Sequence, residues 1–168
     1  MKALVVYDSV FGNTEKIARA IADALGSPEE VRMVRSSGIS PGEIQGVKLL
    51  VIGSPTRGFR PTGSVQALLK NMPGGSVKGV SVAAFDTRIS ESEVGSGLRL
   101  MMKMGGYAAG RIADMLKKKG GNLIASPEGF LVKGQEGPLA EGELERASGW
   151  AKGLADSLKP EAQIVQDG

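Results

Sequence analysis

Ser9-Val10-Phe11-Gly12-Asn13-Thr14 follows a continuous apolar run, Ala3 to Tyr7, and leads into a helical pattern that starts near Glu15. The order reads as strand, tight loop, helix. The first N–H groups of a helix lack intrahelical partners and the aligned peptide dipoles place partial positive charge there, so an anion is stabilised without a dedicated side chain. The hydroxyls of Ser9 and Thr14 and the amide of Asn13 add donors, and Gly12 lets the backbone close without a Cβ in the way. This predicts a phosphate cradle. The competing reading makes Asn13 or Thr14 a helix cap and Ser9 a turn residue. The loop lacks the second and third glycines of the dinucleotide fingerprint and the lysine of a P-loop, so neither motif applies.

Outward from this loop, further apolar runs recur at Leu49 to Ile52, Val80 to Phe85, and in a less regular pair, Leu123-Ile124 and Phe130 to Val132. Continuous rather than alternating apolar character predicts strands covered on both faces, as in a parallel sheet with helices on either side. Val31 to Val34 mixes charge into its run, which suits an edge strand. Helical patterns lie between. Ile17, Ile21, Ala24 and Leu25 share a face before Gly26, and Ser64 to Met72 carries Val65, Leu68 and Leu69. Tyr107 to Lys119 aligns Ala108, Ile112, Met115 and Leu116, and the last helix, after Gly137-Pro138, aligns Leu144, Ala147, Ala151, Leu154, Ala155 and Leu158. The segment 91–106 reads as an extended start of the third helix, with a Met-rich lid or docking patch as the alternative. Strand and helix alternate through short loops, which implies right-handed crossovers and an α/β open parallel sheet with ligands outside the carboxyl ends of the strands.

A chain of 168 residues suffices for one domain, expected over 1–160 with a loose tail at 161–168. With no cysteine and no histidine, thiol chemistry and the commonest general base and metal ligand are missing, so a bound cofactor is better placed than side chains to do chemistry. The formal charge is +3, but Lys and Arg are dispersed and aromatics are few, so no nucleic-acid platform is read. The one compact basic run, Lys117 to Lys119, falls where a helix ends and cations oppose the dipole. No apolar run reaches the length of a membrane span and the first residues lack a signal-peptide pattern. A cytoplasmic protein with no membrane partner, monomeric or weakly homo-oligomeric, is expected.

Two more loops stand at the same end of the sheet. Gly53-Ser54-Pro55-Thr56-Arg57-Gly58-Phe59-Arg60-Pro61-Thr62 follows the run Leu49 to Ile52, and Asp86-Thr87-Arg88 follows Val80 to Phe85. Tyr7-Asp8-Ser9-Val10-Phe11-Gly12-Asn13-Thr14-Glu15 resembles the phosphate loop of flavodoxins: a hydroxyl residue, two variable positions, then Gly-Asn-Thr-Glu. The resemblance covers nearly the whole chain in element order and matches the short-chain kind. Ser54-Pro55-Thr56-Arg57 is similar to the Pro-Thr-Arg loop of flavodoxin-like quinone reductases of the tryptophan-repressor-binding-protein type, as is Phe11 before Gly12.

The resemblance implies a five-stranded parallel sheet of order 2-1-3-4-5 and FMN as cofactor. Ser9, Gly12, Asn13 and Thr14 would hold the FMN phosphate, with Val10 and Phe11 of the same loop also at the cofactor. Pro55, Thr56, Arg57, Gly58 and Phe59 would line one side of the flavin, and Asp86, Thr87 and Arg88 the other. It also implies electron transfer with redox partner proteins, with an FMN-dependent NAD(P)H:quinone oxidoreductase and a flavin-free interaction module as alternatives. The third loop offers no aromatic ring to stack on the flavin, and the second has Arg57 near the place of a common Trp, with Phe59 as a possible substitute. Arg57 and Arg88 would raise the potential of a bound flavin, since one positive charge about 5 Å away at an effective dielectric near 20 is worth roughly 3 kcal/mol, on the order of 100 mV. A phosphorelay receiver is set aside because Ile52-Gly53-Ser54 offers no Asp at the end of its strand.

Overall fold

Every side chain of Ala3–Tyr7 (β1) is buried, as its unbroken apolar character predicts for a strand covered on both faces. Its residues divide by parity: Ala3, Val5 and Tyr7 enter one core, and Leu4 and Val6 the other. The computed structural model describes residues 2–160, so the tail expected at 161–168 lies outside the described residues.

The sheet is parallel throughout, in the order β2-β1-β3-β4-β5, with β2 at Val31–Arg35, β3 at Leu49–Pro55, β4 at Ser81–Ile89 and β5 at Asn122–Leu123. The charged run is indeed the edge strand. The column beside β4 is filled twice: β5 pairs with Ser81 and Val82, and Glu128–Val132 (β6) pairs with Phe85 to Ile89. Between them lies Ser126-Pro127, and proline removes the N–H that a continuous ladder needs. The two weak apolar runs therefore share one column as a single interrupted strand.

Asn13–Leu25 (α1) and Glu143–Ser157 (α5) cover one face through Ile17, Ile21, Ala147, Ala151 and Leu154. Gly63–Asn71 (α2) and Ala108–Lys118 (α4) cover the other through Val65, Leu69, Ile112 and Leu116. Leu144, expected on the buried stripe of α5, is instead exposed at the first turn. At the centre of the sheet Phe85 lies directly against Gly53, where an added Cβ would come within 2.0 Å of the ring. No helix among the described residues is long and apolar enough to cross a membrane.

The segment 91–106 departs from expectation. It is not an extension of α4 but a 3-10 turn, Glu91–Glu93, followed by a separate helix, Ser96–Gly105 (α3), that ends at Gly106 with φ 75°. A left-handed glycine breaks helical propagation. Only Met102 of α3 is buried among its described side chains.

Candidate functional site

β1 ends with Asp8 N–H donating to Gly53 O, and the chain then turns sharply. Asp8 Oδ1 accepts from Ser9 N at 2.8 Å, Ser9 Oγ accepts from Gly12 N at 3.0 Å, and Gly12 takes φ 92° before the first helical bond, Lys16 N to Gly12 O. Glycine at the N-cap supplies no side-chain cap, and among the described residues no side chain accepts from the first-turn amides of α1, which remain directed at the loop. A methyl built on Gly12 would meet nothing within 4 Å, so glycine is required here for its φ, and the loop opens onto free space. From outside, Arg35 of β2 braces the turn, donating to Ser9 O at 3.0 Å and reaching Asp8 and Glu15.

Two residues of this loop are committed elsewhere than the sequence suggests. Asn13 Nδ2 donates to Glu136 O at 3.0 Å, so its amide ties α1 to the loop after β6. Thr14 Oγ1 meets Thr87 Oγ1 at 2.7 Å, joining the first loop to the third.

The second loop is drawn in by Thr56 N donating to Thr87 O at 2.9 Å. Arg57 and Arg60 then exchange backbone bonds of 2.8 and 3.1 Å across Gly58 (φ 54°) and Phe59 (φ 66°). Two positive φ values between paired residues define a type I′ turn, and a bulky residue at the second position is strained.

Asp86 and Arg88 are not loop residues, because β4 runs on to Ile89. Being two apart on a strand they share a face. Arg88 Nε and Nη2 each donate to the Asp86 carboxylate at 2.7 Å, while the guanidinium lies 3.6 Å from the Tyr107 ring centroid and against Gly129. Asp86 is fully buried and also accepts from Ala109 N at 2.9 Å, and Thr56 Oγ1 accepts from Ala108 N, so the two together cap α4. Burial pushes the Asp86 carboxyl up from its ordinary value, against the pull of Arg88 and the Ala109 amide. Burial, reinforced by its hydrogen bond to Glu91, pushes the Tyr107 phenol up to about 12.

One cleft of about 190 Å³ collects these loops. Val10, Phe11, Asn13, Thr14, Pro55, Thr56, Arg57, Gly58, Thr87 and Arg88 line it, joined by Ile89, Val132 and Gln135. Ser9 and Gly12 shape its loop without lining it. Asp86 is turned into the protein, and Phe59 faces a neighbouring chamber. Phe11 stands at the mouth with the Arg57 guanidinium 5.9 Å from its ring centroid. Among the described residues no carboxylate lines the cleft and two arginines do, and apolar walls stand beside the start of α1. That donor set fits a flat ring carrying a phosphate. Ile89, Val132 and Gln135 of the cleft and Tyr107 against Arg88 are not legible in the sequence, although the Asp-x-Arg spacing announces the pairing across one strand face.

The flavodoxin family model matches residues 5–150. No curated protein matches the sequence. Among solved structures, flavodoxin 2 from Bacillus cereus is 20% identical, with 93% of this chain and 99% of that one covered and a TM-score of 0.72. Flavodoxin 1 from the same organism is 15% identical over 95% and 100%, with a TM-score of 0.73. A flavodoxin from the domain Archaea is 19% identical over 93% and 97%, with a TM-score of 0.70. At these identities the three attest to the fold.

Proposed function

Because this chain belongs to the flavodoxin family, whose members bind FMN, we propose that the three-loop cleft binds FMN and that the protein is a cytoplasmic electron carrier between redox partner proteins. The observation that carries this reading is the carboxylate-free cleft set against the uncapped start of α1. FMN, when bound, supplies the one- and two-electron chemistry.

The chain supplies binding, orientation and charge. The first-turn amides of α1 would hold the phosphate, with Ser9 and Gly12 setting the loop, Thr14 tying it to Thr87, and Arg35 bracing it from behind. Val10, Phe11, Pro55, Ile89 and Val132 would flank the ring with apolar surface and exclude water, while Thr56, Gly58 and Thr87 fix the backbone between. Asn13 acts by tethering the last loop, and Asp86 by holding Arg88 in place. Phe59 borders the adjoining chamber rather than the cleft itself.

Calorimetric titration of the purified chain with FMN tests the proposal. Stoichiometric uptake at neutral pH, weakened when Gly12 becomes Ala, is expected. No uptake would favour a flavin-free module. Sustained turnover of NAD(P)H with a quinone, in the absence of a reductase, would replace the carrier with an oxidoreductase.

A further inference from the structure

Beside the cleft lies a second, more apolar chamber of about 360 Å³. Leu98, Met101 and Met102 of α3 bound it on one side and Phe59 and Tyr107 on the other, and it shares Thr56, Gly58 and Arg88 with the cleft. α3 does little to cover itself: Leu100 is 60% and Met104 80% exposed. A surface helix with that much apolar area is not stabilised by the core beneath it and is suited to a partner. Unbranched methionine lets such a surface adapt to more than one shape.

The turn and the helix that bound the chamber both carry exposed cations, which form a basic border in sequence next to its lining residues. Arg57 and Arg60 flank Phe59 on the type I′ turn, and Arg99 and Lys103 stand on α3. All four are exposed, and none makes an ion pair among the described residues. Arg99 is held by carbonyls, donating from Nε to Glu91 O at 3.0 Å and from Nη2 to Val94 O at 3.4 Å, bonds that leave its charge without a carboxylate partner among the described side chains. The Arg88 charge is cancelled by Asp86 and adds nothing to the rim. Phe59 is kept at positive φ in the middle of this border, where Arg111 Nε donates to its carbonyl at 2.8 Å.

We propose that α3 and the chamber beside it form the docking surface for an acidic redox protein, whose carboxylates meet the Arg57, Arg60, Arg99 and Lys103 rim while its apolar centre covers Leu98, Met101 and Met104. The inference rests on the reading of the cleft as an FMN site and names the chemistry of the partner. Continuity of the chamber with the cleft through Arg88, Gly58 and Thr56 places such a partner beside the cofactor position. A second copy of this chain is disfavoured, because a two-fold contact through α3 brings Arg99 and Lys103 of both copies together.

The test uses a strongly acidic ferredoxin as probe and basic cytochrome c as control, with binding measured on the full chain both with and without FMN. The surface predicts that the ferredoxin binds and cytochrome c does not, and that binding weakens at least roughly tenfold as salt is raised from low to high ionic strength. Charge reversal in Arg99→Glu/Lys103→Glu is expected to weaken ferredoxin binding by roughly tenfold more while leaving FMN affinity unchanged, since neither side chain lines the cleft. With FMN bound, the rate at which one electron passes from reduced ferredoxin to the flavin is expected to follow the same order. Preference for cytochrome c, salt-independent ferredoxin binding, or an unaffected charge-reversed variant would overturn the proposal. So would dimerisation through α3, or sedimentation with phosphatidylserine vesicles in place of ferredoxin binding. Failure of FMN uptake with ferredoxin binding intact would remove the cofactor reading and leave the docking surface standing.

Discussion

Thr14 and Thr87 join their hydroxyls at 2.7 Å across 73 residues of sequence, both side chains buried. This bond ties the start of α1 to the end of β4, the two walls of the cleft. Replacing either by Val leaves the other hydroxyl buried and unpaired, at a cost of about 1–3 kcal/mol, whereas replacing both costs less than the sum. Urea denaturation of Thr14→Val, Thr87→Val and the double variant measures the coupling, and strictly additive losses would count against it.

Gly53→Ala is expected to be among the most damaging single substitutions in the sheet. Its methyl would lie 2.0 Å from Phe85 Cζ, and Phe85 is itself fully buried and packed edge-on against Phe130 and Trp150. A loss of about 3 kcal/mol or more follows, at the upper end of overpacking costs. Phe85→Leu in the same chain should restore part of it in a thermal melt.

Glu143 makes stability depend on acid pH. Its carboxylate accepts from Arg146 at 2.7 and 2.9 Å and from Leu131 N at 2.7 Å, fastening α5 to β6. The hydrogen bonds from Arg146 hold its pKa below the ordinary 4.5, against the opposing effect of burial. The folded value being depressed, the stabilisation is present above pH 4.5 and is lost as pH falls through the folded value. The stability advantage of the natural chain over Glu143→Gln should therefore shrink steadily from about pH 6 to pH 3 in denaturant titrations. A constant difference would refute it.

The two arginines of the cleft should behave differently in a redox titration of the FMN-loaded protein. Arg57 has no carboxylate partner among the described residues, so Arg57→Gln is expected to lower the potential of the flavin's second electron. An exposed, screened charge is worth about 1 kcal/mol or less, on the order of 40 mV. Arg88→Met should chiefly cost stability, about 3–5 kcal/mol, because it strands the buried Asp86 carboxylate, and Asp86→Asn in the same chain should recover much of that. Equal potential shifts for both arginines would contradict the pairing.

The architecture and the loop at Ser9 to Thr14 were legible in the sequence because each is written in neighbouring residues. The apolar runs give strands covered on both faces, and the Gly-Asn-Thr step gives a helix start. The segment 91–106 was misread because its apolar residues have helical spacing whether or not they are buried, and Gly106 breaks the helix only through its backbone conformation. Side-chain partners were harder still. Asn13 bonds a carbonyl in the last loop and Thr14 a hydroxyl on β4, and neither has a local signature.

By itself, the sequence determined the alternation of strands and helices around a parallel sheet, the loop between β1 and α1 and the exclusion of thiol and imidazole chemistry, since composition and local periodicity suffice for these. Tertiary structure alone decided that Asp86 is buried under α4, that its charge cancels Arg88, and that α3 leaves an apolar, basic-rimmed face uncovered. Burial and charge pairing depend on which segments the fold brings together, and a linear chain holds that information only through its folded state.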